Sequence, residues 1–238
     1  MFTYTDIFKD KSKALFVTAH PDDVDVFFGG LIGLLNRDHK ECFVLVTTNG
    51  ARGSKNNVIS EAELAGIRLN EEKTALSFLG QDPSKVVSLN YLDGEIDSNY
   101  ELIGRISAVI RQFQPDIVCT HEPNSQYFTY RNSEFAYINH RDHRATGCAT
   151  LDAVYPFCRD KSFFPEQNLE PWEVKSVLLT GEAKVNTKID ITSVIDLKRQ
   201  ALLAHQSQFD KNTIESILRS DSKKTTFYET ANYLQIPW

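Results

Sequence analysis

The sequence predicts an α/β fold, a Rossmann-like three-layer sandwich with a mostly parallel central sheet. Short apolar runs of strand length alternate with longer segments of helical periodicity from about residue 14 to residue 120. Turn signals fall between them at Asn49-Gly50, Gly80 and Asp93-Gly94. No internal repeat and no low-complexity linker interrupts the chain, so residues 1–238 read as one domain.

Taken in order, Ala14-Leu-Phe-Val17 is the first buried strand. It ends in His20-Pro21-Asp22-Asp23, and a helix is expected around Leu31-Ile-Gly-Leu-Leu35, after the pair Gly29-Gly30. Glu41 to Thr47 is the second strand. Ser60 to Leu79 is a helix with a capping box, Ser60 and Glu63, and Gly80 as its stop. Lys85 to Asn90 forms a third strand, Tyr100 to Phe113 a helix, and Asp116 to Thr120 a fourth strand running into His121. Strands separated by helices need crossover connections, which makes neighbouring strands parallel and places helices on both faces. Further on, Arg144 to Cys158 reads as a helix, Val174 to Thr180 as a strand, Lys188 to Ile191 as a short strand and Ser193 to Ser207 as a helix. The stretch from Glu122 to Asn139 lacks a regular pattern but carries Tyr127, Phe128, Tyr130, Phe135 and Tyr137. A structureless segment of this length is uncommon and often functional, here as an aromatic stacking wall or lid, or as a loop folded onto the core.

Composition removes several classes of function. A formal net charge of −6 with no basic stripe argues against a nucleic-acid partner. No apolar run approaches the ~20 residues of a membrane span. The first residues, MFTYTDIFKDKSK, lack the apolar core of a signal peptide, so a cytoplasmic location is expected. Cys42, Cys119, Cys148 and Cys158 show no CxxC spacing and read as buried free thiols rather than a zinc ribbon or disulfide framework.

The polar break after the first strand carries the chemistry. A dinucleotide site would need GxGxxG there, whereas His20-Pro21-Asp22-Asp23 would repel a pyrophosphate. Two acids and a histidine at a strand end are costly to bury unless paired or bound to a metal. A second cluster, Asn139-His140-Arg141-Asp142-His143-Arg144, places two histidines three residues apart at the start of a helix. Together the clusters supply the nitrogen and oxygen donors of a catalytic zinc site, two histidines and one carboxylate with a position left for water. Oxygen-only ions would not call for imidazoles.

With AHPDD, a glycine pair downstream and an H-x-D-H segment, the chain resembles the PIG-L/LmbE-like family of zinc-dependent N-acetylglucosaminyl deacetylases. Arg68-Leu-Asn-Glu71 with Leu79-Gly80, Tyr91-Leu-Asp-Gly94 and Ala201-Leu-Leu-Ala-His205-Gln-Ser207-Gln208 extend the likeness over most of the chain. The resemblance implies that His20, Asp23 and His143 bind Zn2+, or Fe2+ in the cell. It makes Asp22 the general base acting on a metal-bound water. His140 would be the electrostatic stabiliser or proton donor, with Asp142 holding its orientation and charge. Arg68 and Asp93 would contact a hydroxyl-rich substrate. The chain departs from the family at Val24, where Glu is usual, and at Arg141, where Pro is usual.

The function expected is removal of an N-acetyl group from an amino sugar or glycoconjugate, with that small molecule as partner. No nucleic acid and no membrane span are expected, and a homo-oligomer is left open. Two alternatives stand beside it: a catalytically silent carbohydrate- or metal-binding module of the same fold, and a metal-dependent phosphoesterase. His39, His121 and His205 have no second ligand close in sequence and read as structural.

Overall fold

A computed structural model describes residues 1–53, 59–129, 136–181 and 185–236. Its centre is a sheet containing the strands β1 (Lys13–Thr18), β2 (Glu41–Thr48), β3 (Val86–Tyr91) and β4 (Ile117–His121). The five-residue helix α1 (Tyr4–Phe8) precedes them. The helices α2 (Asp23–Arg37), α3 (Glu61–Phe78) and α4 (Tyr100–Phe113) connect consecutive strands. After β4 come a short hairpin, β5 (Tyr127–Thr129) and β6 (Ala136–Ile138), and the helix α5 (Arg141–Asp152). The chain then adds β7 (Ser176–Thr180), β8 (Thr187–Asp190), α6 (Ile195–Ala204), α7 (Lys211–Ser220), β9 (Ser222–Lys223) and β10 (Thr226–Gln235).

The strands lie in the order β3-β2-β1-β4-β7-β10-β8, with β9 paired to β10. The first five are mutually parallel, and β10 runs antiparallel to both of its neighbours. This is the mostly parallel, helix-covered sheet expected. Alternation along β1 divides the core: Ala14 and Phe16 face the layer that includes α2, α3 and α6, while Leu15 and Val17 face α4 and α5. Strand order reverses between β1 and β4, which opens a crevice at their C-terminal ends.

Several expectations need correction. Helix α2 starts at Asp23, well before Leu31, because Asp23 and Asp25 occupy its first turn, where acids complement the helix dipole. Gly29 and Gly30 therefore lie inside the helix, and a Cβ at Gly30 would come within 2.5 Å of Ile191. Helix α5 begins at Arg141 rather than Arg144 and gives way at Ala153 to an irregular turn containing Pro156. The aromatic stretch forms the β5–β6 hairpin, with Tyr127 opposite Ile138 and Phe128 opposite Tyr137. Tyr130 and Phe135 lie outside the described residues. Cys42, Cys119 and Cys158 are buried and free, but Cys148 is exposed on α5. Beyond Ser207 the chain adds α7 and β10, which no pattern described above predicts. Among the described residues, no helix is long and apolar enough to cross a membrane.

Candidate metal centre

The crevice at the β1–β4 switch point collects side chains from four segments. His20, Asp22 and Asp23 lie at the turn from β1 into α2, Asp93 follows β3, His121 ends β4, and His140, Asp142 and His143 open α5. Gly147 permits the last approach: a Cβ there would lie 2.3 Å from the His121 carbonyl oxygen. A larger residue would push α5, and His143 with it, away from β4.

Asp23 sits at the middle. Its Oδ2 accepts the His20 backbone N–H at 2.7 Å and lies 3.4 Å from His20 Nδ1. Its Oδ1 lies 3.2 Å from His143 Nε2. The two histidines thus approach different oxygens of Asp23, and among the described residues the donor sets within reach of one ion here are His20 with His140 and His143, Asp23 with His121 and His143, and His20 with Asp93 and Asp142. The other nitrogen of His20 faces two carboxylates, Asp93 Oδ1 at 3.3 Å and Asp142 Oδ2 at 3.4 Å. A ligating histidine commonly has such a carboxylate on its free nitrogen, which fixes its tautomer and strengthens it as a donor. Burial opposes charge on His20, but Asp142, Asp23 and Asp93 outweigh it and hold its pKa well above the ordinary value. The pocket is thus electrostatically suited to a cation.

Asp22 has its ion-pair partner outside this group. Its backbone adopts φ 140°, a conformation a non-glycine residue rarely takes, and such strain is typical of functional turns. Its Oδ2 lies 3.1 Å from Arg68 Nη2, and 13% of the side chain is exposed. Burial raises the Asp22 pKa; Arg68 opposes the rise and Asp23 adds to it. Adjacent aspartates therefore have separate environments.

Arg68, expected at the substrate, is 3% exposed. Besides Asp22 it binds the carbonyls of Gly50 at 2.6 Å and Pro21 at 3.1 Å, so it clamps the turn between β1 and α2 from α3. Asp93 is 7% exposed and accepts the Arg52 N–H at 3.0 Å while facing His20.

The contact expected between Asp142 and His140 is made by a different group. The Asp142 carboxylate faces His20 and accepts the Gly94 N–H at 2.6 Å; it is the Asp142 backbone N–H that donates to His140 Nδ1, at 3.1 Å. With Nδ1 accepting, the proton of a neutral His140 sits on Nε2. Burial, then His20 and His143, lower the His140 pKa and favour that neutral form. Arg141, in place of the usual Pro, binds the Gly94 carbonyl at 2.7 Å and Asp97 at 2.5 Å, pinning the loop that carries Asp93.

His121, which reads as structural in the sequence, belongs to the cluster. Its ring stacks on His143 with centroids 4.1 Å apart and planes 4° from parallel, and its Nε2 is 3.3 Å from Asp23 Oδ2. That nitrogen also accepts the Ala19 N–H at 3.1 Å, and burial lowers the His121 pKa to about 4. A neutral imidazole supporting His143 and β1 fits both facts. Its position at the end of a parallel strand was the available signal.

Residues 15–154, which include both clusters, match the family model described as PIG-L, GlcNAc-PI de-N-acetylase. The chain belongs to the PIG-L family. It is 30% identical over 217 residues to the diacetylchitobiose deacetylase of Thermococcus kodakarensis, covering 90% of this chain and 76% of that one. It is 28% identical over 258 residues to the 1D-myo-inositol 2-acetamido-2-deoxy-alpha-D-glucopyranoside deacetylase of Rhodococcus jostii, covering 82% and 81% of the two chains. Among solved structures it resembles the N,N'-diacetylchitobiose deacetylase of Pyrococcus horikoshii with a TM-score of 0.84 and 28% identity, over 98% of this chain and 88% of that one. The 4-carboxy-2-hydroxymuconate hydratase of Pseudomonas putida shares the fold, with a TM-score of 0.76 and 20% identity over 95% and 98% of the chains.

Proposed function

We propose that this PIG-L protein is a metal-dependent N-deacetylase that removes the acetyl group from an N-acetylglucosamine-containing sugar or glycoconjugate. The observation that carries the reading is the separation of the two aspartates: Asp23 converges with His20 and His143, while Asp22 is held apart by Arg68. The names of the relatives, deacetylases of acetylated amino sugars, support the reaction and the substrate class.

His20, Asp23 and His143 would hold the metal, Zn2+ by the chemistry of a two-histidine, one-carboxylate set. When bound, such an ion supplies Lewis acidity and makes water acidic enough to attack near neutral pH. The chain's own groups handle the protons. Asp22, raised in pKa and still accessible, takes a proton from the attacking water. The acetamide carbonyl oxygen gains negative charge as the C–O bond forms, and His140 stabilises it by donating from Nε2. The C–N bond then breaks, Asp22 returns its proton to the departing amine, and acetate leaves. Asp93 and Asp142 orient His20, and Arg68 orients Asp22.

Acetate release should be measured over N-acetylglucosamine, N,N'-diacetylchitobiose and 2-acetamido-2-deoxyglucosyl-inositol, with metal content determined on the same samples. Wild-type protein should deacetylate a member of this panel, and Asp22→Asn should lose that activity while keeping its metal. Full activity in Asp22→Asn would overturn the mechanism. Metal without acetate release from any acetylated amino sugar would favour a silent binding module.

A further inference from the structure

Helix α3 reaches the same loop twice. Arg68 meets Asp22, and one turn later Glu72 meets Asp25 and His205, the residue that ends α6. Asp25, Glu72 and His205 are all 0% exposed. His205 Nε2 lies 2.7 Å from Asp25 Oδ2 and 3.9 Å from Glu72 Oε2. Asp25 Oδ1, both carboxylate oxygens of Glu72 and His205 Nδ1 face no hydrogen-bond partner among the described residues.

Charge bookkeeping exposes an imbalance. With both carboxylates ionised, the group would carry an excess negative charge even with His205 protonated. The neighbouring cations are engaged elsewhere: Arg68 pairs with Asp22, and Lys198 with Asp221 and Glu229. An ionised carboxylate sealed from water without a partner is strongly disfavoured, and proteins relieve it with a proton or a metal ion.

We propose that Asp25, Glu72 and His205 form a second metal-binding site, for a divalent transition-metal ion, distinct from the His20–Asp23–His143 centre. One donor atom from each residue lies within 4.8 Å of the other two. His205 Nε2 and Asp25 Oδ2 share a direct hydrogen bond of 2.7 Å, which a bound ion would replace, and Glu72 Oε2 lies 3.9 Å from the same nitrogen. The mixed imidazole and carboxylate set suits Zn2+, Mn2+ or Fe2+ better than Mg2+ or Ca2+. Glu72 is the decisive ligand, because both of its oxygens are buried and aimed into the group without a donor. Sealed from substrate, the ion would act structurally, tying the first turn of α2 and the end of α6 to α3 behind Asp22.

The full-length protein, stripped with a chelator, should be reloaded with excess Zn2+, desalted and assayed for zinc per chain by mass spectrometry. The variant His20→Ala/Asp23→Asn/His143→Ala breaks every candidate donor set of the first centre among the described residues, and it should retain one zinc per chain. Adding Glu72→Gln, which preserves the side chain's shape, should remove that zinc. Zinc-free His20→Ala/Asp23→Asn/His143→Ala protein, or an equal zinc content with and without Glu72→Gln, would overturn the proposal and leave a proton as the neutralising charge. Circular dichroism will show whether each variant is folded. Should the Glu72→Gln variant unfold, His205→Gln on the same background takes its place, with the same loss of zinc expected. The outcome is independent of whether the protein deacetylates any sugar.

Discussion

Two groups of carboxylates and imidazoles flank one short turn and differ in their access to water. On one side, His20 and Asp23 are 9% and 7% exposed, and the His140 ring reaches the surface beside them. On the other, Asp25, Glu72 and His205 are sealed at 0%. The donor types are nearly the same, so donor chemistry alone does not distinguish a reaction centre from a buried tie. Access does. Solvent touches the first group and not the second, and the helical start at Asp23 sends Asp23 and Asp25 to opposite sides of the turn. Asp22, just before that helix, points a third way, to Arg68.

The contrast can be tested most severely at Asp23. Asp23→Asn should lose metal from the open centre and reduce acetate release to background, measured on the best substrate of the panel. Asp22→Asn should lower kcat by about 10²- to 10⁴-fold, the usual worth of a general base, with metal content unchanged. His140→Gln should cost about 10²- to 10³-fold in kcat, as expected for one donor to a developing oxyanion, with a smaller effect on KM. Arg68→Lys keeps the charge but loses the forked geometry that holds Asp22 and two carbonyls, and a decrease of roughly ten- to a hundredfold in kcat is expected. The sealed side should respond differently: His205→Gln breaks a buried pair and should cost about 3–5 kcal/mol in denaturant unfolding, with the smallest change in kcat per folded molecule. A His205→Gln protein of wild-type stability and lost activity would erase the distinction between the two sides.

Much of this was legible in the sequence because its signals are local. The strand-ending AHPDD and the later H-x-D-H are contiguous motifs, and His20, Asp23 and His143 do come together at the crevice that a parallel sheet opens. The first four strands and the helices over Ser60–Leu79 and Tyr100–Phe113 were legible for the same reason, since period and capping act over a few residues. The start of α2 was not, because its first turn is polar and escapes an apolar pattern.

What only the tertiary structure decided were partnerships across distance in the chain. Asp25 meets His205 across 180 positions, and Ala19 donates to His121 across 102. Arg68 is buried against Asp22 rather than left on a helix surface, and Asp142 gives its carboxylate to His20 and only its backbone N–H to His140. By itself the sequence determined the layered sheet and the two polar motifs that it brings together, since composition and period act locally. Which carboxylate faces water, which faces an imidazole and which is sealed away depends on the packing of α3, α5 and α6 around one turn, and no local pattern encodes that packing.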